Sequence, residues 1–318
     1  MKKSYEILRK GVGYKVYNGY ITQLLGEDVE ETLNRVLPKN IEFLDVNTCG
    51  YTFLLNDNGE VYSEIVYYKL EDSYILFSNK KIEDYFSYVE KDVVMKDLTD
   101  EKVCVQIEGK ESPSVAQQFY DYDISTLNFR SLFQATYKDT EILLARFGYS
   151  GEFGYQFLLN KDDMVEFQEE VLTEILNYDE SLENYLKFEV GHPLEELYFS
   201  EKTNLFTLGY SWNLDFTKET FQGKDIMLNY AATATVQSVG FECEKPVAQG
   251  EAVYFDGEEI GKVLWLEKSL SDEPKRQYIG MLLLEQYFVH SGIHFITKDN
   301  VVLTTLSNPY TIPESWKK

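Results

Sequence analysis

A chain of 318 residues is long enough for two or three domains with separate cores, and a hydrophobic content of 44% is that of a globular protein. Fifty-four acidic against 30 basic side chains give a formal charge of −24, which argues against a nucleic-acid partner, because phosphate binding needs concentrated Lys and Arg. No stretch approaches the ~18 apolar residues of a membrane span. The opening "MKKSYEILRKGVGYKVYNG" also lacks the apolar run of a secretory signal, so a soluble, cytoplasmic protein is expected.

In chain order, "YKVYNGYITQLL" (residues 14–25) reads as paired short strands. A helix follows, with Asp28 at its N-cap, Glu31 three residues on, and Val29, Leu33, Val36 and Leu37 on one face. The stretch "YTFLLNDNGEVYSEIVYYKLEDSYILFSN" alternates apolar and polar residues around turns at 56–59 and near Glu71-Asp72, which predicts a three-stranded meander. An amphipathic helix through Ile82, Phe86 and Val89 is expected over residues 80–91.

The same rhythm then recurs. "KVCVQIEG" is a strand, and "ESPSVAQQF" a helix with Ser112 at the cap and Pro113 in the first turn. "TEILLARFGYSGEFGYQFLL" is a β-hairpin, and "KDDMVEFQEEVLTEILN" a helix aligning Met164, Phe167, Val171 and Ile175. Such alternation predicts an α+β fold of subdomains, each a sheet with helices on one face. Beyond about residue 230 only short strands with Gly- and Asp-rich turns remain, as in a small β-barrel or sandwich. "ETFQGKDIMLNYAAT" bridges the two regions.

Cys49, Cys104 and Cys243 are odd in number, far apart and without Cys-x-x-Cys spacing, so they read as buried thiols of a reducing compartment. His290 and His294 are four apart, but Gly292 and β-branched neighbours make their stretch a strand or turn, and no metal site is expected. Gly148, Gly151 and Gly154 do not match a dinucleotide fingerprint, and no Walker loop or nucleophile elbow occurs.

The glycines do belong to a longer pattern. Arg146-Phe147-Gly148-Tyr149-Ser150-Gly151-Glu152-Phe153-Gly154-Tyr155-Gln156 resembles the Arg-x-Gly-Tyr-Thr-Gly-Glu-x-Gly-Phe-Glu of the aminomethyltransferase (T-protein) component of the glycine cleavage system and its folate-binding relatives. "FLLNDNGEVYSEIVYY" at 53–68 is similar to that family's "LMLNENGGVIDDLIVY", and "LKFEVGHPLEE" at 186–196 to its "LRLEAGMPLYG". Tyr210-Ser211-Trp212 is similar to its "LSW", and Phe221-Gln222-Gly223-Lys224 to its Phe-x-Gly-Lys. Five motifs in one order carry the resemblance across about residues 10–230.

The resemblance implies α+β subdomains around a central hole that takes tetrahydrofolate, over residues 1–229, and a C-terminal β-barrel over 230–318. It implies that Tyr149 and Gln156 hold the pterin, with Tyr51, Asn56 and Asn79 around it and Glu152 and Trp212 in the same cofactor-binding set. Residue chemistry supports a pterin slot, since Tyr149 and Tyr155 sit among glycines that permit close backbone approach. Ser63 and Glu64 mark the expected place of donor chemistry.

Two departures fall there. Ser63 stands where the family has the Asp assigned to catalysis, and a hydroxyl is no general base near neutral pH. Glu64 is adjacent, but neighbouring strand residues face opposite ways, so a bulge would be needed for it to take over. Gln156 replaces the pterin-clamping Glu and loses a charge-assisted pair. The family's leading Gly-Trp-Met-Pro-like stretch has no counterpart, so part of the pocket rim is expected to be missing or supplied otherwise. The charge of −24 would repel an acidic lipoyl carrier protein, which points away from ordinary glycine cleavage. Residues 218–225 lack the cysteine that marks the iron–sulfur-assembly relatives. The expected activity is tetrahydrofolate-dependent transfer of a methyl or aminomethyl unit from a small-molecule one-carbon donor. The alternative is a catalytically silent folate-binding or partner-binding homologue.

Overall fold

Residues 1–86, 92–198, 203–272 and 276–317 are described by a computed structural model. They form two sheets and a closed barrel. The first sheet runs Leu176–Asn177, Gly13–Val16, Lys102–Glu108, Gly154–Asn160, Thr140–Ala145, Leu132–Tyr137. The second runs Thr48–Leu55, Val61–Lys69, Ser73–Ser78, Tyr20–Leu25, Val94–Asp97.

Period-two alternation assigns every strand a face. In the first sheet Val103, Val105 and Ile107 join Tyr155, Phe157 and Leu159 in one core beneath the helices Ser112–Ala116 and Met164–Glu170. In the second, Ile65 and Tyr67 pack with Leu54, Leu76 and Leu33 beneath the helix Val29–Val36. The opposite faces, through Cys104 and Leu158 from one sheet and Val66 and Tyr68 from the other, share a central apolar layer. The helix Glu180–Glu189 contributes Leu182, Tyr185, Leu186 and Phe188 to that same layer.

Several expectations change in detail. The strands of residues 14–25 form but do not pair, since Gly13–Val16 joins the first sheet and Tyr20–Leu25 the second. Asp28 precedes its helix without a side-chain cap bond. Ser112 is the first helical residue rather than the cap, and its hydroxyl donates to the Phe153 carbonyl. The helix from Met164 ends at Glu170, because residues 176–177 pair in parallel with Gly13 and Tyr14. Where a helix is expected over 80–91, the described residues 80–86 hold the short turn Glu83–Tyr85, and residues 87–91, Val89 among them, lie outside the described residues.

The C-terminal strands Val236–Cys243, Tyr278–Glu285, Glu258–Lys268, Ala252–Phe255, His294–Thr297 and Val302–Thr305 close into the barrel. The helix Lys224–Thr233, spanning the expected 229/230 boundary, leads into it. All three cysteines are free and buried. No helix among the described residues is long and apolar enough to cross a membrane.

Candidate functional site

A cleft of about 240 Å³ is lined by residues of both sheets and of the helix Glu180–Glu189. Tyr17, Val66, Phe77 and Tyr149 give it flat or apolar walls. Its polar lining holds four carboxylates, Glu64, Glu180, Glu183 and Glu195, against the ammonium groups of Lys15 and Lys187.

Glu64 enters the cleft and Ser63 does not. Pairing between Thr48–Leu55 and Val61–Lys69 sets Leu54 opposite Ser63 but Leu55 opposite Val61, so Tyr62 is an extra residue. This bulge sets the phase of the strand beyond it. Ser63 falls on the face of Ile65 and Tyr67, fully buried, with its hydroxyl between the Asn79 Oδ1 and the Glu64 carbonyl. Glu64 falls on the face of Val66, where its carboxylate accepts from the Tyr198 hydroxyl at 2.7 Å and meets Lys187 Nζ at 3.5 Å. Asn79, also on the cleft wall, accepts the Glu64 backbone N–H at 3.2 Å.

Burial works against the charge of Lys187, but Glu64 and then Glu183 outweigh it and hold its pKa above the ordinary value. Burial, reinforced by Glu64, pushes the Glu195 carboxyl up. The same two causes lift the Tyr149 phenol well above its usual range.

Gln156 lies behind the cleft lining in a relay of side chains. Tyr68 donates to its carbonyl at 2.9 Å, and its amide donates to Gln106 Oε1 at 3.0 Å. Gln106 turns its own NH₂ toward Glu108, toward the Tyr178 hydroxyl at 3.1 Å, and toward Glu183 Oε1 at 3.5 Å. Lys15 pairs with the other oxygen of Glu183.

The glycine-rich loop is folded around a buried carboxylate. Glu108 accepts the N–H groups of Tyr149 at 3.0 Å and Ser150 at 2.7 Å, and the Ser150 hydroxyl as well. Burial raises its pKa although these bonds oppose the rise. Gly148 and Gly154 are back to back: a Cβ on Gly154 would come 2.7 Å from the Gly148 Cα. Their bareness lets the loop close on Glu108 and sets Tyr149 in the cleft wall.

The remaining expected residues disperse. Tyr51 is buried against His192, with ring centres 4.6 Å apart, and stacks with Trp212 at 6.3 Å. Trp212 is 48% exposed on the far side of that stack. Neither lines the cleft, although Tyr51 also meets the Tyr149 ring edge-on at 6.3 Å. Asn56 closes its own turn through bonds to the Asn58 and Glu60 amides. Glu152 is buried with Arg9 at 2.8 Å and accepts the N–H groups of Glu314 and Ser315, so it ties three segments together away from the cleft. Tyr155 points into the core on the other face of its sheet.

Sequence reasoning missed Glu180, Glu183 and Lys187. Their spacing of three and four places them on one helical face, among the leucines of "ESLENYLKFE". Charged residues at core spacing were the available signal.

The model of the GCVT N-terminal domain family matches residues 8–218. Among curated relatives, the aminomethyltransferase of Thermosipho melanesiensis is 23% identical over 273 residues, covering 82% of this chain and 74% of that protein. That of Bdellovibrio bacteriovorus is 24% identical over 318 residues, covering 93% and 86%. The crystal structure of glycine cleavage system aminomethyltransferase T from Bartonella henselae superposes with a TM-score of 0.82 at 18% identity, over 98% of this chain and 89% of that one, a likeness of fold. With the motif order and the matched span agreeing, the chain belongs to the GCVT N-terminal domain family, that of the glycine cleavage T-proteins.

Proposed function

We propose that the chain is a one-carbon transferase that takes the pterin end of a reduced folate in the cleft and uses Glu64 as its acid–base group. The observation that carries this is the Glu64 carboxylate on an aromatic-walled cleft, held by Tyr198 at 2.7 Å and Lys187 at 3.5 Å. The lining suits the group: flat walls, carboxylate acceptors for ring N–H donors, and a volume of about 240 Å³ that matches a ring system with its tail left in the opening.

Tetrahydrofolate, when bound, supplies a ring nitrogen able to accept a one-carbon unit. Tyr149 and Phe77 would flank the ring, and Asn79 fixes the strand that carries Glu64. Glu64 would take up the proton released as the carbon–nitrogen bond forms, or deliver one to the donor's leaving atom, with Lys187 steadying the carboxylate. Four carboxylates against two ammonium groups favour a donor that is an amine or a neutral methyl compound over an acidic one. They give an acidic carrier protein no electrostatic help.

A second reading, a catalytically silent folate-binding homologue, is favoured by one observation: the Ser63 hydroxyl, at the position of the family's Asp, is engaged with Asn79 and buried. Calorimetric titration with tetrahydrofolate, then turnover assays with methylated amines, separate the two. Micromolar binding weakened about tenfold by Tyr149→Ala, a loss of about 1.4 kcal/mol, supports the site. Turnover lost in Glu64→Gln but kept within about threefold in Ser63→Ala supports the assignment of Glu64. Binding without turnover would favour the silent homologue, and no binding at millimolar folate would sink both readings.

A further inference from the structure

The side-chain relay at the cleft floor bears on how a ring would be recognised, and the inference drawn from it rests on the reading above. A 2-amino-4-oxo ring presents an amino group and an adjacent ring N–H, two donors that one carboxylate can receive together. Gln156 is badly placed for this. It does not line the cleft, its carbonyl already accepts from Tyr68, and its amide already donates to Gln106. A glutamate at 156 would set an acceptor against the Gln106 oxygen, so glutamine fits the relay as it stands.

The relay branches at Gln106, whose NH₂ meets Glu108 and Tyr178 and, at its longest contact, Glu183. Gln106, oriented by Gln156, directs its NH₂ at Glu183 Oε1 from 3.5 Å, and Lys15 holds the other oxygen. Glu183 lines the cleft on the helix Glu180–Glu189, one turn before Lys187. We infer that Glu183, carried on this helix, is the acceptor that grips the amino edge of the bound ring, and that Gln156 acts only as a positioning residue through Gln106. The charge absent from the strand Gly154–Asn160 is thus supplied from the facing helix. Lys15 is a built-in competitor, since its ammonium occupies an oxygen that the ring's donors need.

The test is ring selectivity, which a purely structural role would not move. The full chain and its variants are titrated calorimetrically with 6-methyltetrahydropterin and with the matching 2,4-dione, in which a carbonyl replaces the amino group. The unmodified protein is expected to prefer the amino ring at least tenfold. Glu183→Gln should abolish that preference, because an amide can donate to the dione carbonyl, whereas Gln156→Met should keep it within threefold. Lys15→Met, which leaves Glu183 in place, should raise the preference at least threefold and serves if Glu183→Gln does not fold. Preference retained in Glu183→Gln, lost in Gln156→Met, or unchanged in Lys15→Met overturns the inference while leaving the folate reading intact. Failure of the unmodified protein to bind either ring overturns both.

Discussion

The Lys187 ammonium sits 4.5 Å from the centre of the Tyr149 ring. The same nitrogen faces Glu64 at 3.5 Å, so one cation couples the flat wall of the cleft to its carboxylate. Lys187→Met should therefore do two things. Removing one partner of a largely buried pair should cost about 3 kcal/mol in a urea titration, and one-carbon turnover should fall at least tenfold. Stability unchanged within about half a kcal/mol would show that the pair is solvated.

Gly154 faces backbone. A Cβ there would meet the Gly148 Cα at 2.7 Å and the Phe147 carbonyl at 2.8 Å, neither of which is the end of a flexible side chain. Gly154→Ala should lower stability by about 2 kcal/mol and weaken ligand binding by displacing Tyr149. A melting temperature equal to that of the unmodified protein would contradict the close approach.

His192 is held neutral. Burial depresses its pKa well below 6.5, and the nearby cations of Lys187 and Arg130 depress it further, while Tyr51 and Tyr149 cover its ring. A lowered folded-state pKa means that acidification protonates the unfolded chain first, so this contribution to stability is lost as pH falls through 6.5. Relative to His192→Phe, the unmodified protein should lose about 1.4 kcal/mol between about pH 7.5 and about pH 5.5. Parallel stability curves for the two proteins would exclude a neutral, buried imidazole.

Arg9 joins two carboxylates, Glu152 at 2.8 Å and Glu189 at 2.5 Å, and all three groups are buried. Arg9→Met would leave two unpaired acids in the interior, at a cost of about 4 kcal/mol. Proteolysis should then cut the chain near residues 311–315, where Glu152 accepts the Glu314 and Ser315 amides and Glu189 the Thr311 hydroxyl. An unchanged cleavage pattern would argue against that dependence.

The architecture was legible because both of its signals are local. Period-two runs such as "VCVQIE" mark strands, and motifs in a fixed order mark their connections. The site was legible only in part. Tyr149 and Asn79, both named from the motifs, line the cleft, because they sit in or beside turns that the motifs define. That Glu64 and not Ser63 faces the cleft was hidden, because one bulged residue at Tyr62 sets the phase of the strand and nothing in "EVYSEIVYY" announces it. Glu152 is placed in the ligand set by its motif, whereas its bonds run to Arg9 and the 314–315 amides, partners remote in the chain. Asn56 was drawn inward by the resemblance, while its chemistry, an amide beside Gly59, is that of a turn.

The Glu152 carboxylate receives an amide from Glu314, 162 residues further on. On the ribosome, the hairpin loop is made long before the segment that completes its hydrogen bonding. A nascent chain can therefore pair its strands early, yet Glu152 waits for residues 314 and 315 to gain their two amide donors. A message broken just upstream of residue 314 would release a protein with both sheets and all six barrel strands in place but this carboxylate only partly satisfied, a ready substrate for the cell's quality-control proteases.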